Sequence, residues 1–212
     1  MVTSLGNDDA RAKRSNVTIF QGDARALPLR DREATFILTS PPYLTRVDYV
    51  VPTALELALL GKSSDEVKAF RKDMMGTPLA RSSDREEPRS EWGPVVRNLL
   101  DQVAAHSSAD SYSYYYKTFW QYFDDASRSL KEIRRVLTTN GVAVVIVQNS
   151  YYKDIEVDLP GLLGSLGAKC GLVVETRVDE PVKRALTSIN TRAQRHRTTR
   201  AYAETALLMR VE

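Results

Sequence analysis

Two consecutive prolines, Pro41 and Pro42, constrain this chain more than any other feature of it. Each fixes its own φ, and neither nitrogen can donate a hydrogen bond, so no β-ladder runs on through them. In front of them stands Ala34-Thr35-Phe36-Ile37-Leu38, a short apolar run with β-branched and aromatic members. Such a run reads as a buried strand. A rigid loop, Thr39-Ser40-Pro41-Pro42-Tyr43, is therefore expected at the carboxyl end of a core strand. In open α/β sheets that is where ligands bind.

These residue types suit one chemistry. An exocyclic amino group on a base has two hydrogens to place. The Ser40 oxygen can accept one and the Pro41 carbonyl the other, with Pro42 keeping that carbonyl aimed. Tyr43 offers a flat face for a planar base. Two acceptors raise electron density on the nitrogen and hold it in line for an electrophilic methyl, which is positioning plus electrostatics. A base inside a duplex reaches such a pocket only by flipping out. The competing structural reading is a plain proline turn after a strand.

The rest of the chain sorts into helices and strands. Residues 1–16 are polar and read as a flexible lead without an apolar signal core. Val17 to Phe20 reads as a strand, with Asp23 in the turn at its carboxyl end. Ala54 to Leu60 reads as a buried helix capped by Gly61. Ser63, with Glu66 three residues on, marks the start of another helix that ends near Gly76. Residues 77–93 are charged and read as an exposed loop, and Val95 to Ala105 as a helix. Tyr112 to Leu137 carries Tyr116, Phe119, Trp120, Phe123, Leu130 and Ile133 at helical spacing. Its tyrosine cluster fits a core face or base stacking. Asn140-Gly141 reads as its stop. Val142 to Val147 is unbroken apolar sequence, as expected of a parallel strand buried on both faces. Asn149, just beyond it, reads as a turn residue or a pocket residue. A helix over Asp158–Ala168, with Pro160 in its first turn, and strands over Cys170–Arg177 and Tyr202–Val211 complete the pattern, the last strand closing the sheet. This is one α/β catalytic domain over 17–212, with 45–110 as a helical and loop insertion.

Charge and composition bound the partners. The 212 residues are 42% hydrophobic and carry a net charge of +3. The basic residues concentrate in 181–203, which holds Lys183, Arg184, Arg192, Arg195, Arg197 and Arg200 and no Asp or Glu. An undiluted basic loop with interspersed Ser and Thr fits a clamp on DNA phosphates; a solvated basic loop is the alternative. Cys170 is the only cysteine, and the two histidines, His106 and His196, lie far apart, so neither a disulfide nor a metal centre is expected. No apolar run approaches the roughly 20 residues of a membrane span. A soluble cytoplasmic protein is expected.

Ser40-Pro41-Pro42-Tyr43 after an apolar strand resembles motif IV of the amino-group DNA methyltransferases that use S-adenosylmethionine. Serine in first place resembles the cytosine-N4 branch more than the adenine-N6 branch. Gly22-Asp23-Ala24-Arg25, Asp48-Tyr49, Arg134-Arg135-Val136-Leu137 and the closing Glu204 to Arg210 also resemble family landmarks. The resemblance implies catalytic roles for Ser40, Pro41, Pro42 and Tyr43. It implies cofactor contacts at Asp23 and Ser40, and a DNA-recognition role for the insertion; a helical cap without DNA contact is the alternative for that segment. It also implies a class I methyltransferase sheet of the Rossmann-like kind.

One part of the family pattern is missing. The cofactor loop Phe-x-Gly-x-Gly after a first strand is absent, and Gly161, Gly164 and Gly167 have the wrong spacing. By the family's sheet order, two strands between those of Asp23 and Ser40 are also missing. The expectation is therefore a partial sheet, completed by a second polypeptide that brings the glycine loop. Two other readings stand beside this one: a non-catalytic DNA-binding or scaffold subunit, and an RNA base methyltransferase.

Overall fold

A computed structural model describes residues 17–44, 48–81, 86–182 and 201–212. The expected lead over 1–16 and most of the basic loop lie outside them. Among the described residues a four-stranded sheet runs in the order β1 (Ala34–Thr39), β2 (Leu137–Gln148), β6 (Ala203–Val211) and β5 (Leu172–Pro181). β1 is parallel to β2, whereas β6 is antiparallel to both β2 and β5. The last strand thus lies inside the sheet rather than closing its edge. A short hairpin, β3 (Ser150–Tyr152) and β4 (Ile155–Val157), follows β2.

The helices follow local signals closely. α1 spans Ala54–Leu59 and α2 Ser64–Asp73. Ser63 and Glu66 form the expected capping box: the Ser63 hydroxyl accepts from Glu66 N at 3.3 Å, and the Glu66 carboxylate accepts from Ser63 N at 2.9 Å. α3 spans Gly93–Ala105 and α5 Leu159–Lys169, with Pro160 in the first turn of the latter. α4, Tyr116–Val136, is the long central helix, entered through a π-helical turn at Ser111–Tyr115. Trp92, Leu100, Tyr116, Phe123, Leu166 and Met209 are among the side chains buried between α3, α4, α5 and one face of the sheet. The tyrosine cluster mostly serves packing. Tyr116 is fully buried and Tyr115 packs on Tyr152, while Tyr112 alone of the four is exposed.

Several expectations are corrected. Val17–Phe20 forms no strand and pairs with none of the described strands, and Ile19 is 91% exposed. β1 is not a buried strand but the end strand of the sheet, with Phe36 and Leu38 exposed. α1 forms but buries none of its residues. α4 ends at Val136, and Asn140-Gly141 lies within β2 instead of stopping the helix. There the pairing jumps from Ala34↔Leu137 to Phe36↔Val142, so residues 138–141 are looped out of the ladder. Val142–Val147 is not buried on both faces: Ala143, Val145 and Val147 are covered, and Val142, Val144 and Ile146 are partly exposed.

Candidate functional site

The Ser40-Pro41-Pro42-Tyr43 loop leaves the carboxyl end of β1, as its prolines require. Ser40 is exposed, and the next three residues are partly covered. Three contacts hold the loop. The Tyr122 hydroxyl on α4 donates to the Pro42 carbonyl at 2.9 Å. Tyr122 is fully buried, and that burial holds its hydroxyl protonated far above the ordinary tyrosine range, so it remains a donor. The Tyr49 hydroxyl accepts from Tyr43 N at 3.2 Å. Gly76 closes the third side. Its φ is +73°, and an added Cβ would stand 3.1 Å from the Tyr43 carbonyl oxygen and 3.2 Å from Pro42 Cβ. Only glycine allows both that conformation and that approach.

With the Pro42 carbonyl turned to Tyr122, the Ser40 hydroxyl and the Pro41 carbonyl take no protein partner among the described residues. Two acceptors on an exposed, rigid loop suit an amino group with two hydrogens. The Tyr43 hydroxyl is also held protonated, first by burial and then by the nearby Glu204 and Tyr49.

Asp23 is placed differently from the expectation. It is not at a strand end but in a tight turn with a bridge to Ala26. Its Oδ1 accepts from Arg25 N at 2.8 Å, and the Arg25 guanidinium spans both carboxylate oxygens. Those hydrogen bonds hold the carboxyl below the usual aspartate range. Arg25 also reaches Asp73 and Asp125, each at 2.9 Å. Asn149 is occupied as well: its side chain accepts from Ala203 N at 2.9 Å and donates to the Ala201 carbonyl at 3.0 Å, joining β2 to the start of β6. It therefore acts as a structural connector rather than a pocket residue.

One stretch of α4 organises these pieces. Asp125 is fully buried between Arg25 and Arg81, and Arg81 also donates to the Lys72, Asp73 and Met74 carbonyls at the end of α2. Gln121 hydrogen-bonds the backbone of Thr77, Leu79 and Arg81. Tyr122 holds Pro42. Sequence reasoning missed all three. The available signal was Gln121 and Asp125, four residues apart on a helix face that otherwise buries apolar groups, where unpaired polar residues are rare.

Arg192, Arg195, Arg197 and Arg200 lie outside the described residues. A cavity of about 230 Å³ is lined by Arg81, Arg89, Lys117, Trp120, Gln121 and Asp124, and no residue of the proline loop lines it. Among the described residues no cluster of His, Cys, Asp and Glu could hold a metal ion, and no helix is long and apolar enough to cross a membrane.

No protein-family model matches the chain. This chain is similar to a type II methyltransferase. It is 24% identical over 180 residues to M.AvaI of Nostoc sp. strain PCC 7120 and to M.AvaI of Anabaena variabilis. That alignment takes in 77% of this chain and 36% of each relative, so the chain spans about a third of the length of the curated relatives it matches. A Thermus thermophilus protein described as a DNA modification methylase overlays 90% of this chain on 52% of its own, at 14% identity and a TM-score of 0.41. The same protein complexed with S-adenosyl-L-methionine gives a TM-score of 0.43. Overlays that loose carry no residue roles across.

Proposed function

We propose that this chain is the target-base half of a DNA methyltransferase, acting on an exocyclic amino group with cytosine N4 preferred over adenine N6. The observation that carries the reading is the proline loop, with the Ser40 hydroxyl and the Pro41 carbonyl on adjacent residues while Pro42 is held from behind by Tyr122. Similarity to M.AvaI over 77% of the chain supports the same reaction class. Ser40 and the Pro41 carbonyl accept the two amine hydrogens, and Tyr43 stacks on the base. The pull of two acceptors grows in value as positive charge develops on the attacking nitrogen.

S-adenosylmethionine is the methyl source in this reading. The described residues do not by themselves make a full cradle for it. No glycine-rich loop follows a strand, and both Asp23 oxygens are bound by Arg25. We assign the cradle to a second polypeptide that carries Phe-x-Gly-x-Gly. No step here requires a metal.

Ser40→Ala tests the reading, assayed with the partner present. Methyl transfer should fall by roughly two orders of magnitude or more, the loss expected for one preorganised transition-state interaction, with DNA affinity unchanged. Unchanged transfer would leave the alternative of a scaffold subunit that keeps the loop without using it. Parallel assays on duplex DNA, single strands and RNA distinguish an RNA base methyltransferase.

The basic segment is assigned to the DNA backbone. Replacing Arg195 and Arg197 by Ala should weaken binding to all sequences by a similar factor. The slope of log affinity against log salt should drop by about one unit for each phosphate no longer neutralised. Equal binding by the double variant at low salt refutes the clamp.

A further inference from the structure

The proline loop offers a target amine two acceptors, and both are neutral: the Ser40 hydroxyl and the Pro41 carbonyl. Positive charge that develops on the amine nitrogen meets no counter-charge within the loop itself. A carboxylate stands nearby. β6 runs antiparallel to β2, so it begins at the sheet end where β1 finishes. Thr39 is paired with Val145, and Gln148, three residues further along β2, is paired with Glu204. Val145, Val147, Thr205 and Leu207 are buried, so Gln148 and Glu204 project on the opposite face, as do Phe36 and Leu38 in β1. Ser40, two residues past Leu38, is exposed as well. Ser40 and Glu204 therefore lie at one end of the sheet, two strands apart, or about 10 Å by ordinary strand spacing. The charge of Glu204 reaches the loop: burial first, and this carboxylate next, hold the Tyr43 phenol above its usual range. The Glu204 carboxylate is exposed and takes no hydrogen bond or ion pair among the described residues. On the β5 side it faces Glu180. Like charges directly opposite cost stability, so packing alone does not favour a carboxylate at this position.

We propose that Glu204 supplies the counter-charge for the target amine, a carboxylate beside the base pocket that favours a cytosine carrying positive charge over a neutral one. This rests on the reading of the proline loop as the target-base site. Ser40 and the Pro41 carbonyl orient the amine through hydrogen bonds, whereas Glu204 acts across several ångströms on its charge. A charge placed where charge develops is worth more in the transition state than in the ground state. At a separation of about 10 Å and an effective dielectric constant of about 20, the attraction amounts to roughly a factor of ten, and salt weakens it. The groups that face Glu204 are Glu180 on β5, Gln148 on β2 and Tyr43 in the loop, with Ile146 and Val178 diagonal to it. None of these is a cation, so none neutralises the carboxylate.

The probe is a single-stranded oligonucleotide with one cytosine, compared with the same strand carrying 3-methylcytosine in its place. Methylation at N3 leaves the base cationic near neutral pH, and a single strand removes base pairing from the comparison. Binding to the whole chain is measured for wild type, Glu204→Gln and Glu180→Gln. Comparing the ratio of the two affinities between proteins cancels the contacts of the N3 methyl group and of the DNA backbone. In Glu204→Gln that ratio should shift about fivefold to tenfold toward the neutral base, and the shift should shrink as salt is raised. Glu180→Gln, one strand spacing further from the loop, should shift it by less than about twofold. The Tyr43 phenol, followed by NMR on labelled tyrosine, should titrate at lower pH in Glu204→Gln than in wild type. The melting temperature should not fall, because the substitution removes a repulsion with Glu180 and no contact. A ratio unchanged in Glu204→Gln, an equal shift in Glu180→Gln, or a Tyr43 titration indifferent to Glu204→Gln overturns the proposal. The two readings fail separately. A chain with this charge preference that methylates nothing keeps the assignment of Glu204 and refutes the methyltransferase reading, whereas methyl transfer that is lost in Ser40→Ala, with a charge preference indifferent to Glu204→Gln, does the reverse.

Discussion

Asp125→Ala is expected to cost about 3–5 kcal/mol of folding stability, the usual loss when one partner of a buried ion pair is removed. Asp125 is fully buried, with Arg25 Nη1 at 2.9 Å and Arg81 Nη2 at 2.6 Å. Without it, two guanidinium groups share a site with no central anion. Arg25 keeps Asp23 and Asp73, so its charge stays compensated at the surface. Arg81 is 24% exposed and keeps its bonds to the carbonyls at the end of α2. These remaining partners place the expected loss within the quoted range rather than beyond it. Against a typical domain stability of about 5–15 kcal/mol, much of the margin disappears. Urea unfolding followed by circular dichroism measures it, and a loss below about 1 kcal/mol, no more than an ordinary substitution costs, contradicts the network.

Gly76→Ala should produce the largest effect on the proline loop from outside it. Alanine at φ +73° costs about 1–2 kcal/mol in backbone strain. Its Cβ would also meet the Tyr43 carbonyl oxygen at 3.1 Å, and backbone yields poorly. The loop should shift, and methyl transfer should fall about tenfold to a hundredfold, as expected of an ångström-scale misplacement of a positioning group. Gly61→Ala is the control. Gly61 has φ +74° and nothing within 4 Å of an added Cβ. It should lose similar stability and no transfer activity. Equal activity losses in the two variants would show that contact with the loop is not what matters at Gly76.

How far the chain could be read from its residues differs by element. The capping box at Ser63 and Glu66, Pro160 in the first turn of α5 and the apolar face of α4 were legible because they are local. Strand burial was not, since it depends on what lies alongside. Val17–Phe20 has strand composition and no partner, and β1 has core composition and an open edge. The unbroken Val142–Val147 run predicted cover on two faces, and the described chain supplies one. The looped-out residues 138–141 also defeated the reading of Asn140-Gly141 as a helix stop, because a turn signal does not say whether helix or strand surrounds it.

In the site, the proline loop was legible from four residues, whereas the groups that hold it were not. Tyr122 lies 80 positions away from Pro42 in sequence, and nothing in its surroundings marks it apart from other aromatic residues on α4. Asp23 was found as a turn residue but not as a partner of Arg25, whose second and third carboxylates come from Asp73 and Asp125. Charge networks that converge from three segments leave no periodic trace.

The most direct measurement is the fate of a labelled methyl group. The chain and its glycine-loop partner are incubated with S-adenosylmethionine deuterated at the methyl and with duplex DNA, and the DNA is digested for nucleoside mass spectrometry. Deuterated N4-methylcytosine is expected in the wild-type reaction, roughly a hundredfold less or lower when Ser40→Ala replaces the wild-type chain, and none when the partner is omitted. No labelled base in DNA with both proteins present, or equal labelling with Ser40→Ala, contradicts it.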